Sequence, residues 1–135
     1  MKVFVSYRFT GESTEVLNTL LTATKTGLDQ NGVESFCSFF FEDHYRSNGF
    51  TSRQIMDHAF DELGTADVLL VILTTDEKSA GMLLEVGYAR ARQLPIILAM
   101  HIDVPNGYLR DMADQTFIWI DPSDLQHQLA EYQFS

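Results

Sequence analysis

The sequence predicts an α/β fold: a five-stranded parallel sheet, doubly wound, in a single domain over residues 1–135. Three observations predict it. The run Val68-Leu-Leu-Val-Ile-Leu73 is six apolar residues without a break, as expected of a parallel strand covered on both faces. Short apolar segments alternate with segments of helical spacing along the whole chain, the pattern of repeated βα units. No repeat, low-complexity tract or linker interrupts the 135 residues, and that length buries a core without staples.

Each element has its own justification. Lys2 to Ser6 is short and apolar and reads as the first strand, ending in the polar loop Tyr7-Arg8-Phe9-Thr10-Gly11. From Ser13, residues Val16, Leu17, Leu20, Leu21 and Leu28 keep helical spacing until Asn31-Gly32 stops it. Val33 to Phe41, with four phenylalanines, predicts the second strand. Glu42 to Thr51 is polar and contains Asn48-Gly49, which predicts a long loop able to act as a substrate lid. Thr51 or Ser52 caps a helix with Ile55, Ala59, Phe60 and Leu63 on its apolar face, ended by Gly64. The central strand follows from Asp67, then a helix carrying Glu85. Leu94-Pro95 breaks the pattern before a fourth strand at Ile96 to Met100. A short helix within Val104 to Asp114, a fifth strand at Thr116 to Ile120 and a closing helix at Ser123 to Tyr132 complete the order.

Composition narrows the function. Apolar residues make up 45% and aromatics 12% of the chain, which argues against disorder. A net charge of −10 repels polyanions, so duplex nucleic acid is an unfavourable partner, whereas a mononucleotide can still be held by a few local donors. Cys37 is the single cysteine and cannot form an internal disulfide, which fits a reducing, cytoplasmic setting. Neither a signal-peptide pattern nor a membrane-length apolar run is present. His44, His58, His101 and His127 have no metal-ligand spacing, and no phosphate-binding glycine motif of the dinucleotide or P-loop type occurs.

The candidate chemistry lies in Ser79-Ala-Gly-Met-Leu-Leu-Glu85-Val-Gly-Tyr-Ala89. In an open parallel sheet, ligands bind beyond the carboxyl ends of the strands, where the following helix starts. Glu85 stands in the first turns of such a helix, where the dipole favours the ionised form. An ionised carboxylate can attack an anomeric carbon or stabilise an oxocarbenium-like charge. The alternative is a solvated residue or a partner for Arg90 or Arg92. Ser79 and Gly81 expose backbone N–H groups able to cradle an anion, although Ser79 serves equally as an ordinary N-cap.

Ser-x-Gly-x-x-x-Glu followed by Val-Gly-Tyr-Ala resembles the signature of the nucleoside 2-deoxyribosyltransferase family and its nucleotide N-glycosidase relatives. The resemblance is strongest at residues 3–12 and 66–90. It implies a flavodoxin-like fold with Glu85 as the nucleophile and no cofactor. By the same resemblance Ser79 and Gly81 hold a 5′-phosphate, which points to a nucleoside 5′-monophosphate as substrate. Tyr7, Arg8 and Phe9 then line the pocket, with Phe9 against the base and Arg8 reaching the phosphate; Phe9 as a core residue is the alternative. Asn106 matches a residue that completes the neighbouring subunit's site in a homodimer or higher homo-oligomer, but Pro105-Asn-Gly107 is also an ordinary turn.

A fainter resemblance to the TIR domain, through Phe-x-Ser-Tyr and a glutamate six residues after a serine, implies NAD glycohydrolase activity. The sequence departs from the first family at one place. The acid/base aspartate expected two helical turns before Asp67 is Ala59, with Asp57, His58 and Asp61 flanking it. Glu42, Asp43 or His44 can replace it, or the chain is a non-catalytic nucleotide-binding or scaffold module.

Overall fold

The computed structural model describes residues 1–8 and 11–134. Its centre is the strand β3 (Val68–Leu73), whose six side chains are all buried. Their parity divides them between two cores. Val68, Leu70 and Ile72 join Leu17, Leu21, Leu28, Leu125 and Leu129 on one face, and Leu69, Val71 and Leu73 join Leu63, Met82, Val86 and Leu109 on the other. Each fully buried aliphatic side chain contributes roughly 1.5–3 kcal/mol relative to exposure, so the sheet is secured from both sides.

Around β3 stand β1 (Lys2–Ser6), β2 (Glu34–Phe36), β4 (Ile96–His101) and β5 (Gln115–Trp119). All pairings are parallel and the order is β2-β1-β3-β4-β5. Helices α1 (Thr14–Asn31) and α6 (Pro122–Glu131) cover one face, while α3 (Ser52–Gly64), α4 (Ala80–Ala91) and the short α5 (Tyr108–Met112) cover the other. The chain reverses its direction of winding between β1 and β3, and such a switch point opens a crevice at the carboxyl edge.

Local signals account for the helix ends. The Ser13 hydroxyl caps α1, and Gly32 closes that helix with φ at 81°, a conformation that favours glycine. Thr51 and Gln54 form a reciprocal capping box at the start of α3. Lys2 ties the sheet's opposite edge to α3 through Glu62.

Two expectations are corrected between residues 33 and 51. The second strand is limited to Glu34–Phe36, because β2 is an edge strand paired only with Lys2 to Phe4 of β1. Beyond it, Ser38–Phe41 winds into a 3₁₀ turn. An extended chain would send Phe39 and Phe41 to one face and Phe40 to the other. The turn instead sets Phe39 edge-on to Tyr7 at 6.1 Å and Phe41 against Phe36 at 5.2 Å.

The expected lid is likewise not an open loop, for Glu42–Ser47 forms the helix α2. Tyr45 anchors it: the side chain is buried, packs on Phe50 at 5.2 Å, and shares a 2.8 Å hydrogen bond with Nδ1 of His58 on α3. No helix among the described residues is long and apolar enough to cross a membrane.

Candidate active site

The parity of β1 places the first site residue. Phe4 points to the face covered by α3 and α4, and Ser6, two residues on, points the same way. Ser6 ends the strand in register with Val71 and is 1% exposed. Its hydroxyl donates to Oε1 of Glu85 at 2.7 Å, across 79 residues of sequence. Thr24, also buried, donates its hydroxyl to a carbonyl of its own helix. Ser6 spends its hydrogen bond on a carboxylate at the switch point instead.

Glu85 lies in the second turn of α4, between the buried Met82 and Ala89. Ser79 caps the helix, its hydroxyl oxygen accepting the Met82 N–H at 3.1 Å. Burial pushes the Glu85 carboxyl up to about 7, and the Ser6 hydrogen bond opposes that rise. The sequence expectation of a dipole-favoured carboxylate is therefore reversed. The dipole acts mainly on the first turn, and Glu85 lies beyond it, where loss of water dominates.

A cavity of about 220 Å³ opens at this carboxylate, lined by Tyr7, Ser38, Ala59, Ser79, Gly81 and Glu85 with Val5, Ile55, Met56 and Met82. Three of the predicted residues, Tyr7, Ser79 and Gly81, thus meet Glu85 in one place. A Cβ on Gly81 would meet no protein atom within 4 Å, so the glycine leaves space rather than filling a tight contact. Burial raises the Tyr7 phenol above its ordinary value and keeps it protonated, with Ser38 Oγ 3.4 Å from its hydroxyl. Cys37, next to Ser38 in the chain, is buried and does not line the cavity; its thiol is pushed up to about 12, which makes it inert as a nucleophile.

The other predicted residues lie elsewhere. Arg8 does not line the cavity; its guanidinium sits 2.8 Å from Glu77 and 3.7 Å from Glu12. Phe9 lies outside the described residues. Asn106 is exposed, and its Oδ1 accepts from Arg110 at 2.6 Å. Asp57, His58 and Asp61 line a separate cleft with His44, and Glu42 and Asp43 line another with Arg46. Among the described residues, Glu85 is the only carboxylate lining its cavity, and the wall position Ala59 contributes a methyl group. No group of three or more His, Cys, Asp or Glu among the described residues is placed to hold a metal ion.

Sequence reasoning missed Ser6 and Ser38. Strand parity could have found Ser6, since it shares a face with Phe4 at the strand's carboxyl end. Ser38 carried no signal, because the strand expected there hid the 3₁₀ turn that brings it to Tyr7.

Fold and site together define a doubly wound, flavodoxin-like protein with one carboxylate in its switch-point cavity. The sequence model of the nucleoside 2-deoxyribosyltransferase family matches residues 7–117. The chain belongs to the nucleoside 2-deoxyribosyltransferase family. Among solved structures, it resembles the CMP N-glycosidase of Clostridium botulinum, with a TM-score of 0.69 and 18% identity over 98% of this chain and 100% of that one. It is similar to the 2-deoxyribosyltransferase of Bacillus psychrosaccharolyticus at a TM-score of 0.69 and 18% identity, covering 99% of this chain and 93% of the other. A conserved protein of Enterococcus faecalis aligns with a TM-score of 0.67 and 12% identity over 95% and 96% of the two chains. Among curated proteins no sequence matches significantly.

Proposed function

We propose that this protein cleaves or transfers the N-glycosidic bond of a nucleoside or nucleoside 5′-monophosphate, with Glu85 as nucleophile. The observation that carries the proposal is the Ser6–Glu85 pair: a carboxylate fixed by one oxygen at the mouth of the switch-point cavity. Oε1 is engaged by Ser6, and Oε2 is the oxygen that attacks C1′. Family membership supports this reading, as do relatives of the same fold described as an N-glycosidase and a deoxyribosyltransferase.

In this proposal Ser79 and Gly81 hold the sugar or its phosphate at the start of α4, and Tyr7 with Phe9 faces the base. Arg8 reaches a phosphate only by exchanging Glu77 for it. Asn106 completes the site of a second copy. The exposed Leu84, Tyr108 and Met112 on neighbouring helices offer apolar area for such a contact. Light scattering should give a dimer or larger; a monomer at assay concentration rules out the shared site.

The decisive experiment incubates the protein with deoxynucleosides and nucleoside 5′-monophosphates and separates the released base by chromatography. Base release that Glu85→Ala abolishes is the expected result. No release, or equal release by Glu85→Ala, overturns the assignment.

A further inference from the structure

We infer that the Glu85 cavity takes a substrate whose base is already positively charged: a nucleoside or nucleotide joined through a cationic ring nitrogen, of the pyridinium or N-alkylated purine class. The inference rests on the reading of Glu85 as nucleophile, and two features of the cavity carry it.

The first is charge. Among the described lining residues there is one carboxylate and no lysine, arginine or histidine. Among the described residues Glu85 has the Ser6 hydroxyl as its hydrogen-bond partner, and burial raises the affinity of its carboxyl for a proton. Charges removed from water are ordinarily paired. Arg8, on the neighbouring loop, is already neutralised by Glu12 and Glu77. The missing counter-ion arrives with the ligand. A cation beside Glu85 favours its ionised form, which is the nucleophilic one, so binding itself activates the group. The chain's charge of −10 favours the approach of cations.

The second is the leaving group. Glycoside hydrolysis ordinarily uses two carboxyl groups, one of which protonates the departing atom. Here the remaining polar side chains of the lining are the hydroxyls of Tyr7, Ser38 and Ser79. They donate hydrogen bonds but are poor proton donors, the Tyr7 phenol most of all since burial holds its proton more tightly. A neutral base would therefore depart as an anion.

A cationic base has no such need. As Oε2 of Glu85 bonds to C1′, the C1′–N bond breaks and its electron pair returns to the ring nitrogen. The base leaves neutral without taking a proton. Water then attacks the glycosyl ester, yielding the free sugar, one proton and the regenerated carboxylate.

The test pairs bases that differ mainly in charge. Guanosine is compared with 7-methylguanosine, kept below the pH at which its ring loses a proton, and cytidine 5′-monophosphate with nicotinamide mononucleotide. Rates are expressed relative to uncatalysed hydrolysis, which removes intrinsic lability, and affinities come from titration calorimetry. The cationic member of each pair should show a catalytic advantage of about 100-fold or more, the lower range of what a missing general acid costs. Glu85→Gln should shrink the binding preference for 7-methylguanosine over guanosine to within about 3-fold, since a neutral amide offers no counter-charge. Ala59→Asp should raise guanosine cleavage by about 10-fold or more by restoring an acid to the wall.

Glu85-dependent cleavage of neutral bases as efficient as that of cationic ones overturns the inference and leaves the N-glycosidase reading standing. A binding preference unchanged in Glu85→Gln also overturns it. Release of no base from any of the four overturns the inference, and the N-glycosidase reading falls with it only if the deoxynucleosides and the other nucleoside 5′-monophosphates are also left intact.

Discussion

Two hollows share the carboxyl edge of the sheet, and they differ in a way that identifies the site. The larger, about 480 Å³, lies on the α1/α6 side and is lined by Val16, Leu20, Trp119, Ile120 and Pro122 with His101. The smaller, about 220 Å³, lies on the α3/α4 side around Glu85. Size and apolarity favour the first. Yet its carboxylate Glu15 is exposed to water, and its His101, Asp121 and Thr74 side chains are committed to the fold. His101 Nε2 donates to the Ile120 carbonyl at 2.9 Å, and Nδ1 accepts the Asp103 N–H at 3.2 Å. Asp121 caps α6, and the Thr74 hydroxyl donates to Glu12. In the smaller hollow a carboxylate disfavoured by burial faces open space with one hydroxyl as partner. Unspent charge, rather than volume, distinguishes a place where chemistry can occur.

The largest expected effect breaks or confirms that distinction directly. Glu85→Ala should lower base release by about 10³-fold or more, the scale for removing a nucleophile. Val16→Ser, at an exposed position in the larger hollow, should leave turnover within about 2-fold, as surface changes usually do. A chromatographic assay of both variants decides the matter. If the losses are comparable, the larger hollow takes part in the reaction and the comparison fails.

The same contrast explains what was legible in the sequence. Elements with one strong pattern are found where expected: β3 from its unbroken apolar run, and α1 from its spacing and the Asn31-Gly32 stop. That Ser79, Gly81 and Glu85 line one cavity was legible because a short motif at a βα junction fixes three positions relative to one helix. The segment from 37 to 51 was not. Its aromatic residues satisfy strand propensity, but their tertiary partners Tyr7, Phe36 and His58 lie on three other elements, and packing against them selects helical turns. Ionisation was misjudged for a related reason. Distance from the helix start is visible in sequence, whereas loss of water around a side chain depends on β1, α3 and the 3₁₀ turn together.

Stability against pH sharpens the contrast next. Glu85 titrates near 7 in the folded protein and near 4.5 when unfolded. Between those values the folded state binds more protons, so deprotonation as pH rises costs folding stability. The cost develops from about pH 4.5 and is complete somewhat above 7, at most roughly 3 kcal/mol from a shift of this size. Glu85→Gln lacks it. Denaturant unfolding should show the variant gaining on the wild type between pH 4.5 and pH 8, while both behave alike in acid. A stability difference independent of pH would mean that Glu85 is not desolvated. The acid limb of kcat/KM should likewise fall near 7 rather than near 4.5.

Ser6→Ala addresses the partner that fixes the carboxylate. Loss of the hydroxyl removes the interaction that opposes the burial of Glu85, so the acid limb should move above 7. Turnover should drop by about 10-fold, the worth of one hydrogen bond to a charged group. KM should change little, since Ser6 is covered by the sheet and α4 rather than open to substrate. Ser6→Cys, a weaker donor of similar size, should fall between the two. An unshifted limb with reduced turnover would assign Ser6 to packing alone.

The smallest effect tests whether the space beside Glu85 is kept open at a cost. Gly81 lies in the first turn of α4, where it is not in a positive-φ conformation and where a Cβ would clash with nothing in the protein. Gly81→Ala should therefore stabilise the fold, by at most about 0.5–1 kcal/mol, because alanine loses less backbone entropy in a helix. The added methyl would project where substrate must lie against the start of α4, so kcat/KM should decrease by several-fold with KM taking the larger share. Thermal unfolding and steady-state kinetics on the one variant read both quantities. A gain in stability with no kinetic penalty would place the substrate away from Gly81. A gain with a penalty would show that stability is given up for room at the carboxylate, as expected where a helix start serves a ligand rather than the core.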